Sequence, residues 1–297
     1  MAIAPLEENS SSLEAITSDK NPFSRPTILV FDSGVGGLSV YREVRKLLPN
    51  LHYIYAFDNE AFPYGEKTES FIIERVTSIV EAIQKKHPLT LAIIACNTAS
   101  TISLPPLRAK FSFPIVGAVP AIKPASKLTR NGIVGLLATK GTVNRSYTKE
   151  LISRFAADCK VESLGSSELV ELAEDKLHGI PISLQRLSQA LKPWLRMKEP
   201  PDTVVLGCTH FPLILDELAQ VLPSGTRFID SGAAIARRTQ WLVNNQQTAS
   251  LLIEQPLIES KQGAENIAYC LRIDEAIAKL TPVLITEGFE KLEKLAI

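Results

Sequence analysis

Sulfur and large rings are scarce in this chain: 297 residues hold four cysteines, two methionines and two tryptophans. Cys96, Cys159, Cys208 and Cys270 lie far apart, with no CxxC pair and no Cys/His spacing of the kind zinc sites use. A disulfide framework is not expected in a chain of this kind, so each cysteine has to be judged alone, its plainest role being that of a small buried hydrophobe. Charge of one sign is lacking too. Lys plus Arg number 32 and Asp plus Glu number 32, so no overall field draws the protein to nucleic acid or to an anionic membrane. No apolar run approaches the roughly 20 residues that cross a bilayer, and the N-terminus shows no basic stretch followed by an apolar one. A globular, cytoplasmic protein is the expectation these absences leave.

What is present is a 45% hydrophobic content, enough for a sizeable core and about two domains by length. Residues 1–26 are Ser-rich and polar, with Pro5, Pro22 and Pro26, and read as a flexible extension. Apolar runs of strand length follow at Thr27–Phe31, Tyr53–Phe57, Thr90–Ala95, Pro114–Gly117, Gly132–Ala138, Thr203–Gly207 and Arg227–Ile229. Between most of them lie amphipathic stretches of helix length: Leu38–Leu48, Thr68–Lys86, Asn144–Ala157, Ser183–Leu191 and Leu213–Leu222. Continuous apolar strands alternating with helices predict an α/β fold, with mainly parallel sheet covered on both faces. The polar stretch from Asn245 to Asn266 reads as a long surface loop.

An internal echo adds detail. LAIIACNTAS and VVLGCTHFPL share one order of apolar strand, small residue, cysteine, Asn or Thr, and helix start, 112 residues apart. ILVFDSGVGG and IVGLLATKGTV likewise run from an apolar strand into a small polar turn. Two related lobes explain both echoes and put Cys96 and Cys208 at matching places. The expected division is 27–117 plus 230–297 as one lobe and 118–229 as the other.

In such sheets ligands bind outside the carboxyl ends of the strands, where the N–H groups of the following helices point. Four turns of that type are visible: Asp32-Ser33-Gly34, Cys96-Asn97-Thr98, Thr139-Lys140-Gly141-Thr142 and Cys208-Thr209-His210. A cysteine at a helix N-terminus should have its thiolate favoured and its pKa lowered, which makes it a usable base. Cys159 and Cys270 fall in ordinary helical or loop context and are read as structural. Asp32 is either an N-cap or a functional carboxylate, and His210 either a satisfied core histidine or a partner for Cys208. FDSGVGG lacks the spacings of nucleotide-binding loops. The Pro-Tyr-Gly turn of AFPYGEKT could set the Tyr64 hydroxyl and Gly65 N–H at the crevice mouth.

FDSGVGGLSV, FPYGEKT, ACNTAS, LATKGTV, LGCTHFPL and IDSGAA, in this order, resemble the motifs of bacterial glutamate racemases, within the aspartate/glutamate racemase superfamily, from about Thr27 to the C-terminus. The resemblance implies two pseudo-symmetric α/β lobes with an active site between them that uses neither cofactor nor metal. It implies Cys96 and Cys208 as the acid/base pair, Asp32 and His210 assisting. Asp32, Ser33, Tyr64, Gly65, Asn97, Thr98, Thr209 and His210 would surround D- or L-glutamate, whose D form is used in peptidoglycan synthesis. Glu174, in GSSELVELAE where many members have Cys-Pro ahead of Leu-Val-Glu, is an implied auxiliary residue. The extension and the GSSELVELAEDKLHG wording are similar to a long-form subgroup switched on by UDP-N-acetylmuramoyl-L-alanine. That activator is expected near the hinge, around Arg108, Gly117 and Lys123. Two rivals remain: a racemase or isomerase of the superfamily acting on aspartate or another acid, and a non-catalytic binding protein on the same scaffold.

Overall fold

A computed structural model describes residues 25–251 and 265–297. Ten strands lie among them: β1 (Thr27–Asp32), β2 (His52–Phe57), β3 (Leu91–Ile94), β4 (Ile115–Gly117), β5 (Ile133–Ala138), β6 (Lys160–Gly165), β7 (Thr203–Leu206), β8 (Arg227–Ile229), β9 (Ile267–Cys270) and β10 (Lys291–Lys294). The first helices are α1 (Leu38–Leu47), α2 (Glu69–Lys86), α3 (Asn97–Lys110), α4 (Ile122–Leu128), α5 (Lys140–Asn144) and α6 (Ser146–Phe155). After them come α7 (Glu168–Leu177), α8 (Leu184–Leu195), α9 (Leu215–Val221), α10 (Gly232–Leu251) and α11 (Glu275–Thr286). No helix among the described residues is long and apolar enough to cross a membrane.

The strands form two sheets, ordered β10-β9-β2-β1-β3-β4 and β6-β5-β7-β8, and every described pairing is parallel. Strands 2-1-3-4 of the first sheet and 6-5-7-8 of the second follow the same spatial order, so the echo in the sequence has a counterpart in topology. Alternate residues of a strand face opposite sides. In β1, Ile28 and Val30 join one apolar cluster while Leu29 and Phe31 join another, all of them fully buried. Covering both faces is why the central strands read as unbroken apolar runs rather than as alternation. Each such side chain contributes roughly 1.5–3 kcal/mol by leaving water. The second sheet is covered in the same way by two smaller clusters.

The structure corrects several boundaries. α10 runs to Leu251, so the first part of the stretch expected to be a loop is helix, while 252–264 lie outside the described residues. Of the expected extension, residues 1–24 also lie outside them. β6, β9 and β10 are strands the sequence reading missed. All six residues of β6 keep some exposure, as befits an edge, so the strand lacks the apolar run used as the signal. Cys270, expected in helix or loop, sits fully buried in β9 with its thiol toward Glu293 O at 3.7 Å. Cys159 follows α6, its thiol 3.7 Å from Ser126 O.

Candidate active site between two sheets

Both sheets end on one cleft. β3 stops at Ile94 and β7 at Leu206, and each is followed two residues later by a cysteine at the carboxyl end of a central strand. Cys96 and Cys208 line the same small cavity, of about 20 Å³, and are 5% and 6% exposed.

Cys96 caps α3. Its backbone is extended (φ −60°, ψ 116°) and its sulfur accepts from Ala99 N–H at 3.5 Å, with Ser33 Oγ also at 3.5 Å. The helix-end geometry is as expected, yet the effect on acidity is reversed. Burial pushes the Cys96 thiol well above its usual range, the Asp32 charge adds to the rise, and the contacts from Ser33 and Ala99 do not offset them. At neutral pH Cys96 is therefore a thiol. Next to it, Asn97 is 4% exposed, lines the cavity, and its Nδ2 has no partner among the described residues.

Cys208 is followed by a short 3₁₀ turn (Phe211–Ile214) and not by the α-helix expected there, so no long helix dipole faces it. Its distinguishing neighbour is an imidazole. Cys208 Sγ lies 3.6 Å from His210 Nδ1, and His210 Nε2 lies 2.6 Å from Glu174 Oε1. Burial alone would lower His210, but its bonds to Cys208 and Glu174 outweigh that and hold its pKa well above 6.5. Burial would raise Glu174; the hydrogen bond and charge of His210 prevail and hold its carboxyl below the usual range. Cys208 thus faces a cation.

The two sheets are tied at this point by groups far apart in sequence. Asp32, fully buried, accepts from Ser33 N–H (2.8 Å), Gly37 N–H (2.5 Å) and Thr209 Oγ1 (3.1 Å). Its carboxylate thus fills the anion-favouring turn that follows β1, and it does not line the cavity. Burial raises its pKa against the opposing pull of His210. Val35 N–H donates to Glu174 Oε1 at 3.2 Å, and Ser39 Oγ donates to Thr209 O at 2.7 Å. Thr98 Oγ1 lies 3.1 Å from Thr139 Oγ1 and 3.2 Å from Thr142 Oγ1. Two glycines permit this closeness: a Cβ on Gly36 would meet His210 Nδ1 at 2.5 Å, and one on Gly141 would meet Gly65 O at 2.7 Å.

Of the residues marked in the sequence, Ser33, Tyr64, Gly65, Asn97, Thr98, Thr209 and His210 line the cavity with the two cysteines. Tyr64 departs from its expected role. It is buried, and its hydroxyl donates to Asp58 Oδ2 at 2.7 Å instead of standing at the cleft mouth. Asp58 is held in turn by Arg75 at 2.7 and 2.9 Å. Phe62, Pro63, Thr139 and Val170 also line the cavity and were missed; for Thr139 the TKGT turn was a signal, whereas Phe62 and Val170 gave none. Among the described residues no group of three His, Cys, Asp or Glu side chains is placed to hold a metal ion.

The expected activator residues do not all meet. Arg108 and Gly117 line a separate cavity of about 680 Å³ between β4 and α10, together with Ser231 and Arg238. Lys123 is not part of it; its ammonium lies over the Phe155 ring, 5.3 Å from the centroid.

A model of the Asp/Glu/Hydantoin racemase family matches residues 28–239. The glutamate racemase of Photorhabdus laumondii is 65% identical over 295 residues, 99% of each chain. The crystal structure of Escherichia coli glutamate racemase in complex with L-glutamate and the activator UDP-MurNAc-Ala is similar at 66% identity and a TM-score of 0.85, covering 92% of this chain and 98% of that one. The glutamate racemase isoform RacE1 of Bacillus anthracis, at 26% identity, aligns with a TM-score of 0.74 over 92% of this chain and 98% of its own.

Proposed function

The chain belongs to the Asp/Glu/Hydantoin racemase family, and from that premise we propose that Cys96 and Cys208 are the two bases with which it works. It is an isomerase that interconverts L- and D-glutamate. The observation that supports the two-base reading is the shared cavity: two buried cysteines, one from each sheet, with polar donors between them.

Racemisation removes a weakly acidic α-proton from one face of a carbon and returns a proton to the other. One base on each side of a planar carbanionic intermediate meets that need, and two lobes, 27–117 with 230–297 and 118–229, supply two sides. The thiolate at one sulfur takes the α-proton, the thiol at the other gives up its own, and the roles exchange for the opposite enantiomer. Asn97 Nδ2, the hydroxyls of Ser33, Thr98 and Thr209 and the N–H groups at the start of α3 bind the substrate carboxylates and stabilise charge on the reacting one. Asp32 acts at one remove, by holding Ser33 and Thr209, and Glu174 by holding His210. The cavity is smaller than glutamate, so the lobes part to admit it and close to exclude water.

In the cell this activity supplies D-glutamate for peptidoglycan in the cytoplasm. The 680 Å³ cavity with Arg108, Gly117 and Arg238 is the place where a UDP-MurNAc-Ala-like activator would bind, its two guanidinium groups suited to diphosphate. Purified protein incubated with L-glutamate or L-aspartate and followed by circular dichroism tests the reading. Loss of optical activity with glutamate and not with aspartate, with no added cofactor, is the expected result; the reverse preference would overturn it.

A further inference from the structure

The chain passes from the first sheet to the second after β4 and returns after β8, and both strands are edges of their sheets. β2 stands three places from β4, and β5 two places from β8, so the turns that follow β2 and β5 lie away from both crossings. Those turns meet. Gly65, in the 3₁₀ turn Tyr64–Glu66, and Thr139, which caps α5, both line the small cavity, and a Cβ on Gly65 would meet Thr139 Cβ at 3.1 Å. The first-sheet side of this seam is held firmly. Fully buried Asp58 accepts from Ala61 N–H (3.2 Å), the Tyr64 hydroxyl (2.7 Å), Arg75 Nε (2.7 Å) and Arg75 Nη2 (2.9 Å). On the other side Thr139 Oγ1 accepts from Thr142 N–H at 3.1 Å, and both threonine hydroxyls reach Thr98. Beyond them along the chain, Arg145 Nη1 donates to Glu69 Oε1. Arg145 stands between α5 and α6 and Glu69 opens α2, so the pair spans the seam. The Arg145 side chain is 11% exposed and its buried Nε has no partner among the described residues, whereas Glu69 is 62% exposed. The other hydrogen bonds between the sheets named above come from neutral donors.

We infer that Glu69 and Arg145 latch the cleft: glutamate enters and leaves where residues 62–65 face 139–145, and the ion pair parts at each passage. The inference rests on the reading that the lobes part to admit substrate, which a cavity of about 20 Å³ requires. Rotation about the two crossings separates the turns farthest from them most, and this seam is such a place. Little has to be broken there: threonine hydroxyls, which water can satisfy, and one ion pair whose carboxylate is already wet. The first-sheet turn stays whole, because Asp58 and Arg75 hold it. An ion pair with one exposed partner shifts an equilibrium by about twofold to fivefold, enough to favour the closed form of the free enzyme without sealing it. Salt screens such a pair, whereas bonds from neutral donors are nearly indifferent to it.

The test reads opening directly, as the rate at which iodoacetamide reaches Cys208 in the substrate-free protein, followed by peptide mapping. Cys208 lines the closed cavity, while Cys270 is fully buried in β9, remote from the seam, and reports any general loosening. Glu69→Gln and Arg145→Gln should each label Cys208 about twofold to fivefold faster than wild type, with Cys270 still protected. The double variant Glu69→Arg with Arg145→Glu, which rebuilds the pair in reverse, should return to near the wild-type rate. Potassium chloride raised to about 0.5 M should speed labelling of wild type and leave Glu69→Gln unchanged. An unaltered Cys208 rate in the single variants, an equal rise at Cys270, or a double variant as fast as the single ones would overturn the latch. Should Arg145→Gln lose its thermal transition, Glu69→Gln, altered at an exposed side chain, decides by the same rate and the same salt response. Labelling needs no turnover, so its failure counts against the latch, while failure of wild type to racemise glutamate counts against the activity, and the two are told apart.

Discussion

Cys96 and Cys208 stand at the ends of matching strands, β3 and β7, and are buried alike, but the groups that reach each sulfur differ in kind. Around Cys96 they are neutral donors, a hydroxyl and a backbone N–H, with the Asp32 charge close behind; around Cys208 there is an imidazole backed by a carboxylate. Burial and the Asp32 charge push the Cys96 thiol up, while His210 is held cationic beside Cys208. A topological repeat thus supplies two sulfurs on two sides, and tertiary contacts give the two unequal neighbours.

The comparison can be broken most directly at the sulfurs. Cys96→Ser and Cys208→Ser should each depress racemisation in both directions by about 10²–10⁴-fold. Each should still release a leaving group from one enantiomer of a suitably substituted glutamate, because elimination needs one base, and the two variants should prefer opposite enantiomers. Near-normal racemisation by either variant, read by circular dichroism, would end the two-base assignment.

Unequal neighbours should give unequal losses. His210→Asn removes the cation facing Cys208 and should lower kcat by about tenfold to a hundredfold, since charge-assisted contacts are the stronger ones. Ser33→Ala removes a contact at Cys96 between two neutral groups, 3.5 Å long, and should cost only about twofold to fivefold. Equal losses would erase the asymmetry.

Alkylation offers a milder probe. With iodoacetamide at neutral pH, peptide mapping should find Cys208 modified before Cys96, whose labelling should rise only under alkaline conditions, and glutamate should protect both. The half-exposed Cys159 serves as an internal reference. Labelling of Cys96 first would overturn the reading of Cys96 as a thiol at neutral pH.

The smallest effect concerns stability. Glu174 is held below its usual 4.5, so its contribution is present above about that pH and is lost as pH falls through its lowered value. His210 is held above 6.5, so its contribution is complete below that value and is lost as pH rises through the raised one. Wild type should therefore melt about 2–4 °C above Glu174→Gln near pH 6, with the gap closing under acid conditions. A gap that does not change with pH would show that Glu174 contributes shape and not charge.

Much of the fold is legible from short stretches. Thr27–Phe31 falls one residue short of β1, and Gly132–Ala138 overlaps β5 closely, because a strand buried on both faces must be apolar throughout. β6 and β10 escaped because edge strands mix Lys, Glu and Ser into a half-exposed run. In the cavity wall, Ser33, Asn97, Thr98 and Thr209 carry polar signals beside strand ends, whereas Phe62 and Val170 look like any core residue. Tyr64 was visible as a residue, but its hydroxyl partner Asp58 and the hold of Arg75 on that carboxylate were not.

By itself the sequence determined the α/β alternation, the parallel sheets and the position of each cysteine just past an apolar strand, since burial period and turn chemistry are properties of neighbours along the chain. Tertiary structure decided which sulfur meets a hydroxyl and which an imidazolium, and which carboxylates stand behind them. Those contacts join residues as far apart as Val35 and Glu174 or Asp32 and Thr209, separated by 139 and 177 positions. Protonation in a buried site is set by whatever charge and dielectric lie within a few ångströms, and only folding determines what those are.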